Sequence, residues 1–219
     1  MRAETTERVP SALRLGLFWL GIQAVWGALL GISLQARTLE LAAGNALVAY
    51  GRLATIGALV AALVQIAVGP WSDRRRARGS RRIEFYVAGG IGGAIAIVFF
   101  YGARNFAALS FAFVGIQAAL NFAIGPYQAI IPDAMPRSRF GIASSWMAAL
   151  QSAGNAIGAL CAAFVADLRI LGGVLAALLV GTGAATWAHV RGLNLQPQPA
   201  RVPLRVTRAF VDLFVSRAL

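Results

Sequence analysis

Six long stretches of the chain carry no charge: Leu15 to Ala36, Leu53 to Ser72, Phe85 to Ala103, Asn105 to Pro132, Phe140 to Ala166 and Ile170 to Val190, each 19 to 28 residues long. About 20 apolar residues in a helix cross the hydrocarbon core of a bilayer, whereas helices of water-soluble domains average about 10–14 residues. None of the stretches alternates polar with apolar positions, as a membrane strand would. The pattern predicts an all-α membrane protein, a bundle of six transmembrane helices at about 13–36, 48–72, 84–103, 105–131, 141–166 and 169–190, with residues 1–12 ahead of it. The first run is too long for the apolar region of a signal peptide, so it reads as a retained first helix. The joints are short, which predicts that sequential helices pack as neighbours. Residues 191–208 hold three prolines and several arginines and read as a linker. Residues 209–219 turn apolar again, as an interfacial amphipathic tail or the start of a seventh helix.

Composition sharpens the choice of solvent. The chain is 58% hydrophobic and 13% charged, against about 25% charged residues in a soluble domain. The formal net charge of +12 looks at first like a nucleic-acid footprint, but the 20 cations sort by joint. Sixteen arginines lie in the N-terminus, the second and fourth joints and the tail, and four (Arg37, Arg52, Arg104 and Arg169) on the opposite side. By the positive-inside rule both termini face the cytoplasm, in a cytoplasmic (inner) membrane. The basic joints lack interleaved stacking aromatics, which argues against nucleic acid as a partner; the lipid bilayer is the partner that the charge implies. Cys161 is the single cysteine and His189 the single histidine, so neither an internal disulfide nor a metal centre is expected. No cofactor is expected.

Small residues recur at four-residue spacing, at Gly27 and Gly31, Gly89 and Gly93, and Gly154 and Gly158. In lipid, close backbone approach through such residues holds helices together. Polar residues inside the spans are the candidates for a solute path: Gln23 with Trp26 in the first, Gln65 in the second, Gln117 and Asn121 in the fourth, and Gln151 and Asn155 in the fifth. Each of the last two pairs is spaced i, i+4 and shares a helix face. Amides in hydrocarbon need partners and should point inward, either bonding between helices or walling a cavity. Arg52, near the outer end of the second span, is either a solute contact or a snorkelling side chain.

Two joints carry motifs. The first runs Gly69-Pro70-Trp71-Ser72-Asp73-Arg74, then a basic cluster through Gly79, Arg81 and Arg82. The second runs Pro126-Tyr127, then Pro132-Asp133, then Arg139-Phe140-Gly141. Gly69 would admit a close backbone, Asp73 needs a cation or a helix N-terminus at the membrane face, and Pro126 should kink its span. The first motif resembles the signature loop between helices two and three of major facilitator transporters, and the second is similar to that family's fourth-to-fifth helix junction. The longer basic cluster resembles the sugar–cation symporter branch. The resemblance implies one half of a major facilitator fold, a 3+3 inverted repeat, with Gly69, Asp73, Arg74, Gly79, Arg81 and Arg82 forming an inner gate. It further implies a second six-helix half as partner, a small-molecule solute, and a cavity lined by helices one, four and five.

The charge-free stretches contain no carboxylate, so a coupling residue for an ion would lie in the missing half or not be a carboxylate at all. An intramembrane serine hydrolase fits poorly: Ser144, Ser145 and His189 lack a G-x-S-x-G elbow and an orienting group. The chain therefore reads as a non-enzymatic transporter, or half of one, moving a small sugar-like solute by alternating access. A non-transporting six-helix scaffold or partner subunit is the alternative.

Overall fold

The computed structural model describes residues 10–42, 44–77 and 82–193. Gly79 and Arg81 of the first motif, most of the N-terminal segment, the linker from residue 194 and the apolar tail lie outside the described residues. Among the described residues six helices are long and apolar enough to cross a membrane, and they mark the chain as a multi-pass helical membrane protein. They are α1 (Ala12–Leu41), α2 (Ala46–Ala77), α3 (Ile83–Gly102), α4 (Phe106–Ala134), α5 (Phe140–Phe164) and α6 (Leu168–Arg191).

Polar residues in the joints start the helices. The side chain of Ser11 accepts from the Arg14 amide, that of Asn105 from Ala108 at 2.8 Å, and that of Asp167 from Arg169 and Ile170 at 2.8 and 3.1 Å. Each satisfies amides that the first helical turn leaves without intrahelical partners. The ends differ from those predicted in two places. α1 runs on through Arg37 to Leu41, because the Arg37 side chain is buried and donates to the Ala103 carbonyl at the end of α3 and to Glu40. A charge that reads as the start of a loop is thus a helical residue with its own acceptors. Likewise α2 continues past Pro70 to Ala77, into the basic cluster.

Two helices are irregular. α1 contains a π-helical turn at Leu29–Ser33, where the Leu34 amide reaches back to the Leu29 carbonyl. α4 is regular over Phe106–Tyr127, breaks at Gln128 and Ala129, and resumes for Ile130–Ala134. Pro126 therefore stands at the end of the regular segment and does not kink its middle.

The packing order corrects the expectation of sequential neighbours. Among the described residues, α3 and α4 are the consecutive helices that pack along their lengths; α1 meets α2 mainly through its last turns, Leu34–Leu41. The principal interfaces are α1 with α5, α1 with α6, α3 with α6, α3 with α4, and α2 with α4. Across the bundle the helices thus lie in the order α5, α1, α6, α3, α4, α2. α1, α3 and α4 are the most buried, and α2 and α5 at the ends of the row present much of their surface outward.

Glycine lets the closest pair meet. A Cβ on Gly158 would stand 1.8 Å from the Ala24 carbonyl oxygen, one on Gly154 2.3 Å from that of Leu20, and one on Gly27 2.1 Å from that of Asn155. α1 and α5 therefore touch backbone to backbone. Gly89 does the same work between α3 and α4, and Gly93 makes room for the side chains of Leu120 and Leu179, whereas Gly31 faces open space. Of the three predicted glycine pairs, two act as pairs and one through a single member.

Candidate functional site

Two polar constellations stand out against the apolar bundle, one in the middle of the spans and one at the end that carries the motifs.

The first is a cavity of about 530 Å³ lined by Gln23, Trp26, Gly27, Leu30, Gly31, Ala61, Gln117, Asn121 and Asn155. Its walls are α1, α2, α4 and α5. The i, i+4 pair on α4 is tied together: the Asn121 amide donates to the Gln117 carbonyl at 2.8 Å and to its Oε1 at 3.2 Å. Gln65 of α2 donates to Asn121 Oδ1 at 2.6 Å, which joins α2 to α4. Gln23 and Asn155 also line the cavity, and their amides make no hydrogen bond among the described residues. The π turn of α1 supplies Leu30 and Gly31 to the wall; such turns widen a helix locally and often accompany functional sites.

Five of the predicted path residues, Gln23, Trp26, Gln117, Asn121 and Asn155, therefore meet at one cavity. Two do not. Gln151, one turn before Asn155, is not among the lining residues, so the shared face of that pair does not bring both amides to the wall. Arg52 sits in a different groove, between α2 and α4 near the bundle's opposite end.

The second constellation joins the two motifs. Arg82 donates to Asp73 at 2.5 Å and stands 3.5 Å from Asp133; Arg76 stands 3.6 Å from the same Asp133 oxygen. The Asp133 side chain is 9% exposed, Arg76 5% and Arg82 10%, whereas Asp73 is 49% exposed. Two buried guanidinium groups thus share one buried carboxylate, and Asp73 covers the cluster from outside. Arg75 and Glu84 form an outer pair at 3.4 Å. Burial strengthens these pairs by lowering the local dielectric, at the cost of desolvating each ion.

Not every motif residue joins in. Arg74 and Arg139 are exposed and make no ion pair among the described residues, and no atom lies within 4 Å of where a Cβ would stand on Gly69 or Gly141. Among the described residues nothing takes the close approach that Gly69 allows. Arg76, which sequence reasoning left undifferentiated within the basic cluster, is instead a principal partner of Asp133. Its place on the buried side of α2, one residue before that helix ends, becomes legible only once α2 is seen to extend to Ala77.

Tyr127 fixes the second motif to the bundle. Its hydroxyl donates to the Leu15 carbonyl at 2.5 Å, and its ring meets those of Phe18, Trp19 and Tyr86 at centroid distances of 5.2, 5.4 and 5.1 Å. Nearby, Trp71, Phe85 and Phe122 bind α2, α3 and α4 together. Pro132 lies in the short helical segment that carries Asp133.

The described residues define a membrane helical bundle with an uncharged polar cavity and a buried charge cluster at one end. Comparison with protein-family models and with curated proteins finds no match.

Proposed function

We propose that this chain is a transporter, or the six-helix half of one, that carries a small neutral, hydroxyl-rich solute by alternating access in the manner of the major facilitator family. The observation that carries the reading is the cavity, with amides of Gln23 and Asn155 facing it and unpaired among the described residues. In hydrocarbon, an amide without a partner is costly, so such groups are retained where a ligand or water bonds them. Amides both donate and accept, as a sugar hydroxyl does, and the indole of Trp26 offers an apolar face with a polar edge. Among the described residues no charged side chain lines the cavity, which favours a neutral solute. Its volume falls within the usual range of small-molecule sites.

Two further features support the reading. The five principal interfaces are unchanged when α1 is exchanged with α4, α2 with α5, and α3 with α6. That is the relation a 3+3 repeat requires. The charge cluster ties the Asp73 joint to the Asp133 joint, so the end bearing it has a device for holding α2, α3 and α4 together. In the proposed cycle a second six-helix half closes over the exposed α2 and α5, and the open space beside Gly69 receives it. Both termini lie in the cytoplasm on this reading.

The test is solute binding to the purified chain, followed by fluorescence quenching. Neutral mono- and disaccharides should quench saturably, and a Trp26→Phe variant should lose that signal while the other four tryptophans remain. Uptake into proteoliposomes should need the second half. Saturable quenching by charged solutes with none by neutral polyols would overturn the solute class, and robust uptake by verified monomers would overturn the two-half cavity.

A further inference from the structure

Outside the cavity and the charge cluster, the most developed surface feature is a pair of grooves that meet at Phe111, a residue 82% exposed on α4. One lies between α2 and α4, has a volume of about 460 Å³, and contains Arg52 and Asn45 in an otherwise mostly apolar wall with Leu53 and Ile56. The other lies between α3 and α4 and reaches Val64 of α2; it has a volume of about 780 Å³ and no polar side chain in its lining. Both include Phe111. Small residues, among them Gly92 and Gly115, make the second groove deep enough to hold a chain of methylenes.

We infer that these grooves form a binding site for an anionic phospholipid, with the phosphate against Arg52 and the acyl chains on either side of Phe111. The leaflet is the one opposite the Asp73–Arg82–Asp133 cluster. Charge argues for the headgroup. Arg52 makes no ion pair among the described residues, and it lies six residues into α2, roughly 9 Å along the axis. An arginine at that depth stretches towards the interface, where a phosphate oxygen pairs with guanidinium through strong, two-pronged hydrogen bonds. Shape argues for the chains. The lining residues on α4 run from Ala108 to Phe122, about 21 Å of helix, which spans the roughly 15 Å that one leaflet contributes to the hydrocarbon core. An uncharged lipid would leave the arginine without a counter-ion, and a free phosphate would leave the apolar slot unfilled.

The experiment is native mass spectrometry of the intact chain, titrated with phosphatidylglycerol and with phosphatidylcholine of the same acyl chains. The wild-type chain should retain the anionic lipid several-fold more than the zwitterionic one. Arg52→Gln should abolish that preference while leaving retention of phosphatidylcholine unchanged, and Arg139→Gln, at the other end of the bundle, should keep it. Gly115→Trp should lower retention of both lipids by filling the slot. Glycerol 3-phosphate at the same concentrations should not compete. Equal retention of the two lipids by the wild-type chain would overturn the inference, as would a preference that survives in Arg52→Gln or is lost equally in Arg139→Gln. Competition by glycerol 3-phosphate would reassign Arg52 to a soluble anion and leave no role for the slot. If Gly115→Trp fails to run as a single species, the wild-type comparison and the two arginine variants decide.

Discussion

The seam between α1 and α5 makes a quantitative prediction. Replacing Gly158 by Ala places a methyl group 1.8 Å from the Ala24 carbonyl oxygen, with that residue's carbonyl carbon and Cα at 2.6 and 2.8 Å. All three are backbone atoms of a regular helix, so no side chain can swing aside. The helices must part by roughly 1.2 Å to reach the 3.0 Å below which real Cβ atoms are essentially never found. A gap of about 0.5–1 Å already forfeits a quarter to a half of each pairwise attraction. The loss runs along the whole contact, because Gly154 and Gly27 hold the same seam closed. Overpacking of this kind costs about 1–3 kcal/mol, partly offset by the ~1 kcal/mol that Ala gains over Gly inside a helix. Gly69→Ala supplies the reference, since it makes the same exchange in α2 with no atom within 4 Å. Unfolding of the two variants in mixed detergent with increasing dodecyl sulfate should place Gly158→Ala below Gly69→Ala by about 1–3 kcal/mol. If the two variants unfold at the same denaturant concentration, the backbone contact between α1 and α5 is not what holds these helices.

Other predictions concern the polar features. Asp133→Asn leaves two buried guanidinium groups without their shared carboxylate and should cost about 3–5 kcal/mol, whereas Asp73→Asn, half-exposed, should cost no more than ~1 kcal/mol; the same unfolding titration compares them. Tyr127→Phe keeps the ring packing but removes the bond to the Leu15 carbonyl, and should cost about 0.6 and at most ~1.7 kcal/mol, as interhelical hydrogen bonds in membranes do. Asn155→Leu should leave stability within ~0.5 kcal/mol, because its amide bonds nothing in the bundle, yet weaken saccharide quenching of Trp26 fluorescence; unchanged quenching would remove Asn155 from the binding surface.

The spans were legible because lipid tolerates so few charges that gaps between arginines outline each crossing. The same rule misplaced the end of α1, since Arg37 satisfies its charge against Glu40 and the Ala103 carbonyl, a partner 66 residues away. The cavity was legible in part: residues four apart on α4 share a face whatever surrounds them, so Gln117 and Asn121 could be paired from spacing alone. On α5 the same spacing gave one lining residue, Asn155, because the crossing with α1 decides which end of that face the cavity reaches. The convergence of Arg76 and Arg82 on Asp133 is a meeting of α2, the start of α3 and the end of α4. Local pattern gives no measure of such three-helix geometry. Neighbour order failed for a related reason: joint length limits how far consecutive helices can stray but does not choose between the partners within that reach.

Every principal interface joins a helix from the first three to one from the last three. When the third helix has left the ribosome, the nascent chain therefore has almost nothing of its own to pack against. α1 waits for α5 and α6, and α2 for α4. Assembly then runs as a late, concerted zippering once the second triplet arrives. A ribosome stalled before residue 106 would leave three separately solvated helices, each open to quality-control proteases, where a stepwise bundle would already have buried its first pair.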